Sequence, residues 1–135
     1  CAAESPTNVS PLIQYMEREH IHYAWATFWT GNPIIFETNG AIIVTDYPGR
    51  MPAYGNAILH ADRPSILVLA KHNGPLPPLL QAMNAHHLAY HVASFFSEPG
   101  VDMLVVTPLN KTVSLLDPAF AGVIQHLFGG CVEQE

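Results

Sequence analysis

The sequence predicts an α/β fold, a three-layer α/β sandwich whose sheet is mostly parallel with an antiparallel strand at its C-terminal end. Two observations lead to this prediction. Short apolar runs bounded by Gly, Pro, Asn or Asp alternate with segments of helical spacing, the order that β-α-β units produce. The run SILVLAKH at residues 65–72 is almost continuously apolar, which is typical of a strand covered on both faces.

The length fits one domain. A chain of 135 residues can bury about two thirds of its unfolded surface without a metal or a disulfide. Residues 1–10 are small and polar and include a proline, so we expect a tether there. We expect a single α/β domain over residues 11–135, since the sequence contains no internal repeat and no low-complexity tract.

The first element after the tether is a predicted helix. Ser10 is a suitable N-cap and Pro11 suits the first helical position. The apolar residues that can form its buried stripe are Leu12, Ile13, Tyr15, Met16 and Ile21.

The next segment, residues 23–46, holds both tryptophans and organises the prediction for the first half of the chain. HYAWA at 22–26 and AIIVT at 41–45 have the β-branched and aromatic residues of strands. Between them, Gly31 and Pro33 interrupt TFWTGNPIIFET, so we expect a short helical turn and a loop whose rings pack on the sheet.

The second half alternates in the same way. Residues 46–57 are rich in Pro and Gly and predict an exposed loop, which runs into a short helix at 53–62. A strand at 65–72, a helix at 76–87 and strands at 88–96 and 101–108 follow, with a turn at SEPG. Residues 109–116 can return as a hairpin partner of the last strand. A final helix at 117–128 is capped by Asp117, with Pro118 at its first position and Gly129-Gly130 after its end.

The charged residues argue against nucleic acid as a partner, and their small number raises the question of whether one face of the domain is covered. The net charge is −6 and the five basic residues are scattered, so we expect no nucleic-acid binding. Only 12% of the residues are charged, about half the usual share. Either one face is covered by a membrane-embedded part of a larger protein, an oligomer partner or lipid, or the domain is simply a neutral, proline-rich globule.

The sequence lacks the common motifs of nucleotide-binding, hydrolase and zinc sites. The sequence has no phosphate loop and no GxSxG elbow. His87 and His91 have a zinc spacing, but the HExxH glutamate is missing, so helix-end histidines are expected. We therefore predict no catalytic residue, no metal and no cofactor. Cys1 and Cys131 could pair or remain separate thiols, and Cys1 resembles either a lipoprotein start or a domain boundary.

One stretch carries a family resemblance. Residues 10–115 resemble the soluble C-terminal domain of bacterial polyprenol-phosphate-sugar-dependent membrane glycosyltransferases, a group akin to protein O-mannosyltransferases and aminoarabinose transferases. The residues that match the pattern are Leu12, Tyr15, Met16, Ile21, Tyr23, Trp25-Ala26, Phe28-Trp29, residues 34–36, Arg50, Pro52 and Tyr54.

The resemblance implies an extracytoplasmic accessory domain, attached to the membrane through its parent protein and inactive alone. Its implied partners are the membrane-embedded remainder and a glycan or lipid-linked sugar. A sugar ring could stack on an aromatic platform flanked by polar groups, with the candidate residues Trp25, Trp29, Asn32, Glu37, Asp46, Arg50 and Tyr54. The alternative for both tryptophans is a place in the core.

Two other functions stay open. A free-standing, extracytoplasmic small-ligand-binding protein, which lipid on Cys1 could anchor, would have its pocket at the strand ends near residues 46–54 and 71–77. An independent enzyme would require His72 or His91 within hydrogen-bond reach of Asp46 or Glu98 in a cleft.

Overall fold

The chain is described here by a computed structural model that covers residues 8–46, 52–114 and 116–128. Within these ranges the side chains of Phe28 and Trp29, and of residues 124–126 and 128, are not described. Most of the predicted tether, the end of the chain with Gly129-Gly130 and Cys131, and the loop residue Arg50 lie outside the described residues.

The elements alternate in the predicted way. The helices are α1 (Ser10–Arg18), α2 (Phe28–Glu37), α3 (Pro52–Leu59), α4 (Pro78–Ala85) and α5 (Ala121–Phe128), with a 3-10 turn at Pro118–Phe120. The strands are β1 (Tyr23–Trp25), β2 (Ile43–Thr45), β3 (Ser65–Lys71), β4 (Tyr90–Glu98) and β5 (Val101–Pro108). Within the described ranges, no helix combines the length and the apolar character that a bilayer crossing requires.

The five strands form one mixed sheet in the order β2-β1-β3-β5-β4. β1 pairs parallel with both β2 and β3, whereas β5 pairs antiparallel with both β3 and β4. The α/β class is confirmed, but the expectation of a mostly parallel sheet is wrong. The antiparallel part is the longer one, because the tight turn at Gly100, whose φ is 81°, joins β4 to β5 as a hairpin.

A second prediction about the sheet also fails. Residues 109–114 form no strand, although the sequence suggested that they return beside β5. The register gives the reason, since β3 pairs with one edge of β5 and β4 with the other. β5 therefore has no free backbone edge for a further strand.

Apolar side chains cover both faces of the sheet. Leu67 of β3 belongs to a cluster with residues of α1 and α2, including Met16 and Ile34. Ile66, one position earlier, belongs to a second cluster with residues of α3 and α4, including Ile58. Since successive strand residues point to opposite faces, helices contribute to a core on each side of the sheet.

Helix α2 replaces the predicted turn and loop. Thr27 caps it, because its hydroxyl oxygen accepts the backbone N–H of Thr30 at 3.3 Å. Pro33 lies inside the helix, where a proline removes one backbone hydrogen bond. Gly31 explains why α2 forms here: a Cβ at this position would lie 2.1 Å from the carbonyl oxygen of Val44, so only glycine allows α2 to lie this close to β2.

The predicted caps of the first and last helices differ in outcome. Ser10 is the first residue of α1 and not its cap, and its backbone N–H donates to the side-chain oxygen of Asn8 at 3.0 Å. Asp117 caps the 3-10 turn as predicted, because its carboxylate accepts the backbone N–H of Ala119 at 3.0 Å.

The contact at Gly31 can be tested by substitution. Gly31→Ala should lower the free energy of unfolding by about 1–3 kcal/mol, because the added methyl group meets backbone atoms of β2. Gly55→Ala is the matched control: Gly55 lies in α3, and nothing is within 4 Å of the position of its Cβ. That change should raise the free energy of unfolding by about 0.5–1 kcal/mol. Urea denaturation measures both, and equal effects would contradict this account of α2.

The buried phenol of Tyr15 should make the stability of the core depend on pH in the alkaline range. Burial raises the pKa of Tyr15 above its ordinary value of 10.0, and the nearby Glu19 raises it further while Arg18 opposes the shift. The neutral phenol is therefore favoured by folding, and this contribution to stability is full below pH 10.0 and is lost as the pH rises through the folded pKa. Tyr15→Phe should lose less stability than the wild type between neutral pH and about pH 11. Denaturant titrations at both pH values measure the difference, and parallel losses would contradict the assignment.

Candidate functional site

The carboxyl ends of β1 and β2 meet at one edge of the sheet, where ligands commonly bind in α/β proteins. The backbone N–H of Ala26 donates to the carbonyl oxygen of Thr45 at 3.0 Å, which holds the two strand ends together. α2 begins directly after β1, and α3 follows β2. Ile34 of α2 and Ile58 of α3 belong to different core clusters, so the two connections leave this edge on opposite faces of the sheet.

Threonine hydroxyl groups at this edge have partners within the protein. The hydroxyl group of Thr27 donates to that of Thr30 at 3.0 Å, and Thr30 is buried. The hydroxyl group of Thr45 donates to the carboxylate of Asp46 at 3.4 Å. Asp46 is half-buried, so it can still contact a molecule that approaches the edge from solvent.

Of the two predicted stacking residues, Trp25 alone has a described side chain. Trp25 is 1% exposed and packs in the second core cluster, so a sugar cannot stack on its ring. This settles the alternative for Trp25 in favour of the core. Trp29 lies in the first turn of α2, but its side chain is outside the described part.

The predicted polar residues are spread over the surface. Asp46 and the half-buried Tyr54 lie at or just after the carboxyl edge, and Arg50, which lies between them in the sequence, is outside the described residues. Asn32 is exposed in the middle of α2, and Glu37 is exposed at its end. α2 runs about 15 Å away from the carboxyl edge. Glu37 and Asp46 therefore lie at opposite ends of the sheet and belong to no common site.

His72 has a carboxylate partner, but not one that the sequence suggested. Its Nδ1 lies 2.8 Å from Oδ2 of Asp102, and not against Asp46 or Glu98. β3 continues five residues past Ile66, the last of its residues paired with β1, which places this pair about 17 Å from the end of β1. Nothing in the sequence could indicate Asp102, because it reaches β3 through the register of the β4-β5 hairpin.

A cleft of about 370 Å³ lies beside Asp102, at residues 71–77. The walls combine Leu76, Leu80 and Leu104 with the polar residues Lys71 and Asn73. The sequence predicted a pocket from residues 46–54 and 71–77, and among the described residues only the second segment contributes to the lining of this cleft. The described lining residues include no serine, threonine or cysteine, so this cleft does not show the nucleophile and base pairing of a serine or cysteine hydrolase.

The histidines of the sequence do not assemble into a metal centre in the described part of the chain. No group of three or more His, Cys, Asp or Glu side chains has a suitable arrangement there. His87, with a φ of 57°, lies after the end of α4, whereas His91 lies in β4. The spacing of these two residues therefore does not place them on one helix face.

These observations define the chain as an α/β domain with a mixed five-stranded sheet. Comparisons with protein-family models, with curated proteins and with solved structures find no match to this chain.

Proposed function

We propose that this chain is a non-catalytic accessory domain of a multi-pass membrane glycosyltransferase that uses a lipid-linked sugar donor. In this proposal the domain lies on the extracytoplasmic side and packs on the membrane-embedded remainder of its parent protein. The residue resemblance over positions 10–115 motivates it. We further infer a three-layer α/β sandwich, which the apolar clusters on both faces of the sheet support.

The outer face of α2 carries the proposal. Phe36 is 80% exposed, and Asn32 is exposed one turn earlier, beside the half-buried Pro33. Glu37, the last residue of α2, is its one charged residue. A helix facing water normally carries charged residues along its outer side, whereas this one presents an apolar ring and an amide. Such a face fits a protein surface better than it fits solvent.

The packing beneath α2 supports the same role. Gly31 brings α2 against β2, and the capped start at Thr27 fixes its first turn. The position of α2 on the sheet is therefore well defined. A partner could bind to its outer face without a rearrangement of the helix. A domain with this construction can cover a catalytic cavity or steady the membrane part, while the resemblance assigns the catalytic acid to a loop between membrane helices of the parent.

The contact can be tested in the full-length parent protein. Phe36→Asp should lower sugar transfer from a polyprenyl-phosphate donor by about tenfold or more, because a carboxylate would be buried in an apolar interface. The isolated chain should keep its melting temperature, since Phe36 is 80% exposed. Leu116→Asp is the control, because Leu116 is 60% exposed and lies outside α2. Unchanged transfer by Phe36→Asp, or an equal loss in both variants, would contradict the proposed interface.

The cleft beside residues 71–77 favours a second candidate, a free-standing extracytoplasmic protein that binds a small ligand. Its apolar walls and the polar groups of Lys71 and Asp102 suit a small amphipathic molecule. The reading frame upstream of Cys1 separates the two candidates. The first requires several apolar segments of about 20 residues there, and the second a signal peptide that ends immediately before Cys1.

A further inference from the structure

A groove of about 470 Å³ opens at the amino-terminal end of β1 and β3, the edge opposite the strand ends described above. We name it the Tyr23 groove, after the first residue of β1. Residues 19–23, 61–65 and 107–109 line it. A second cleft of about 280 Å³ shares four of its lining residues and extends the groove toward His91. The groove of about 470 Å³ itself has room for a ligand of one or two sugar rings.

Tyr23 gives this groove an accessible aromatic ring. It is 37% exposed, whereas Trp25, two positions along the same strand, is 1% exposed. Both side chains point to the same face of the sheet, so the difference comes from their depth and not from their direction. An exposed ring beside polar groups provides the platform for the apolar face of a sugar that the sequence had suggested at Trp25.

The walls of the groove offer both donors and acceptors of hydrogen bonds. Asp62 and Glu19 contribute carboxylates, and His22 contributes an imidazole. Ser65 is 2% exposed and its hydroxyl group is hydrogen-bonded to that of Thr107 at 3.1 Å, and both residues alternate onto the opposite face of the sheet from Tyr23, so they add no partner for a ligand on this ring. Sugar hydroxyl groups both donate and accept, so they require such a mixed set of partners.

The charges of the groove favour a neutral ligand over an anion. The guanidinium of Arg63 donates to the carboxylate of Asp62 at 3.3 Å and to the carbonyl oxygen of Leu109 at 2.6 Å. Arg18 lies 3.9 Å from the carboxylate of Glu19. Arg63, the one arginine among the described residues that line the groove, thus already faces a carboxylate, which leaves little positive potential for a phosphate.

Two backbone positions with positive φ border the groove. His20 has a φ of 58° and Arg63 a φ of 48°, a left-handed conformation that histidine adopts more readily than most residues, so Arg63 is the more strained of the two. The turn at Arg63 is held because its backbone N–H donates to the hydroxyl oxygen of Thr112 at 3.1 Å. Strain that the surrounding structure maintains is common at ligand sites.

We propose that the Tyr23 groove binds a neutral saccharide, with one sugar ring against Tyr23 and its hydroxyl groups bonded to the carboxylate of Asp62 and to the other exposed polar side chains of the groove, Glu19 and His22. This proposal deepens the proposed function, on which it rests for the biological source of the ligand, an acceptor glycan. The binding itself depends only on residues of this chain.

Saturation-transfer NMR on the 135-residue chain tests the proposal with maltose, cellobiose and α-mannobiose as probes. At least one disaccharide should bind with millimolar affinity. Tyr23→Ala should weaken this binding about tenfold, because it removes the ring. Tyr23→Trp should retain it, and Asp62→Leu, at an exposed position, should weaken it without affecting folding. Phe96→Ala is the control, since Phe96 is 69% exposed in β4 and does not line the groove.

Several outcomes would overturn the proposal. The first is the absence of an NMR saturation-transfer signal from all three disaccharides. The second is binding that persists unchanged in the folded variants Tyr23→Ala and Asp62→Leu. The third is displacement of the disaccharide by millimolar inorganic phosphate. A reading frame without upstream membrane segments would end the proposed function and leave saccharide binding by this chain intact. Loss of saccharide binding would leave the α2 interface intact.

Discussion

The close packing of α2 on β2 at Gly31 is the contact on which the architecture of the first half depends. A side chain at this position would overlap the carbonyl group of Val44, so the helix could not approach the sheet. The approach buries Ile34 completely and closes the cluster that also holds Met16 of α1. It therefore compensates for Pro33, which on local grounds disfavours a helix by about 3 kcal/mol. Tertiary packing decides the conformation of this segment against its local preference.

The same contact shows which parts of the fold could be predicted from sequence. Strands such as β3 and helices such as α4 follow from local patterns, and both were predicted at nearly the observed positions. α2 was not, because the reason for Gly31 is a backbone atom in another element. The sheet order was also beyond local reasoning, since it depends on β5 inserting between β3 and β4. That pairing is determined by non-local register, and it left no edge for residues 109–114.

The candidate site illustrates the same limit for function. The sequence drew attention to the aromatic segment, but it could not rank its rings by depth. Trp25 pairs in the sheet with both Thr45 and Ile66, so neighbouring strands enclose it, whereas Tyr23 pairs with Ile43 at the start of β1. A separation of two residues along β1 thus distinguishes the accessible ring of Tyr23 from the buried ring of Trp25. Likewise, the sequence proposed Asp46 or Glu98 as the partner of His72, whereas the observed partner, Asp102, is 30 positions away and is brought close by the hairpin.

Chain direction relates the two proposed surfaces to each other. α2 starts at the carboxyl ends of β1 and β2 and runs back over the sheet, so its last residues, Phe36 and Glu37, lie toward the amino-terminal edge. The Tyr23 groove opens at that same edge. In the proposed assembly, a membrane-embedded remainder that packs on the end of α2 would therefore lie toward the groove and not toward the cleft at residues 71–77. A saccharide held against Tyr23 would then lie on the side of the domain that, in this proposal, faces the membrane-embedded remainder, so the two proposed surfaces are compatible with one assembly.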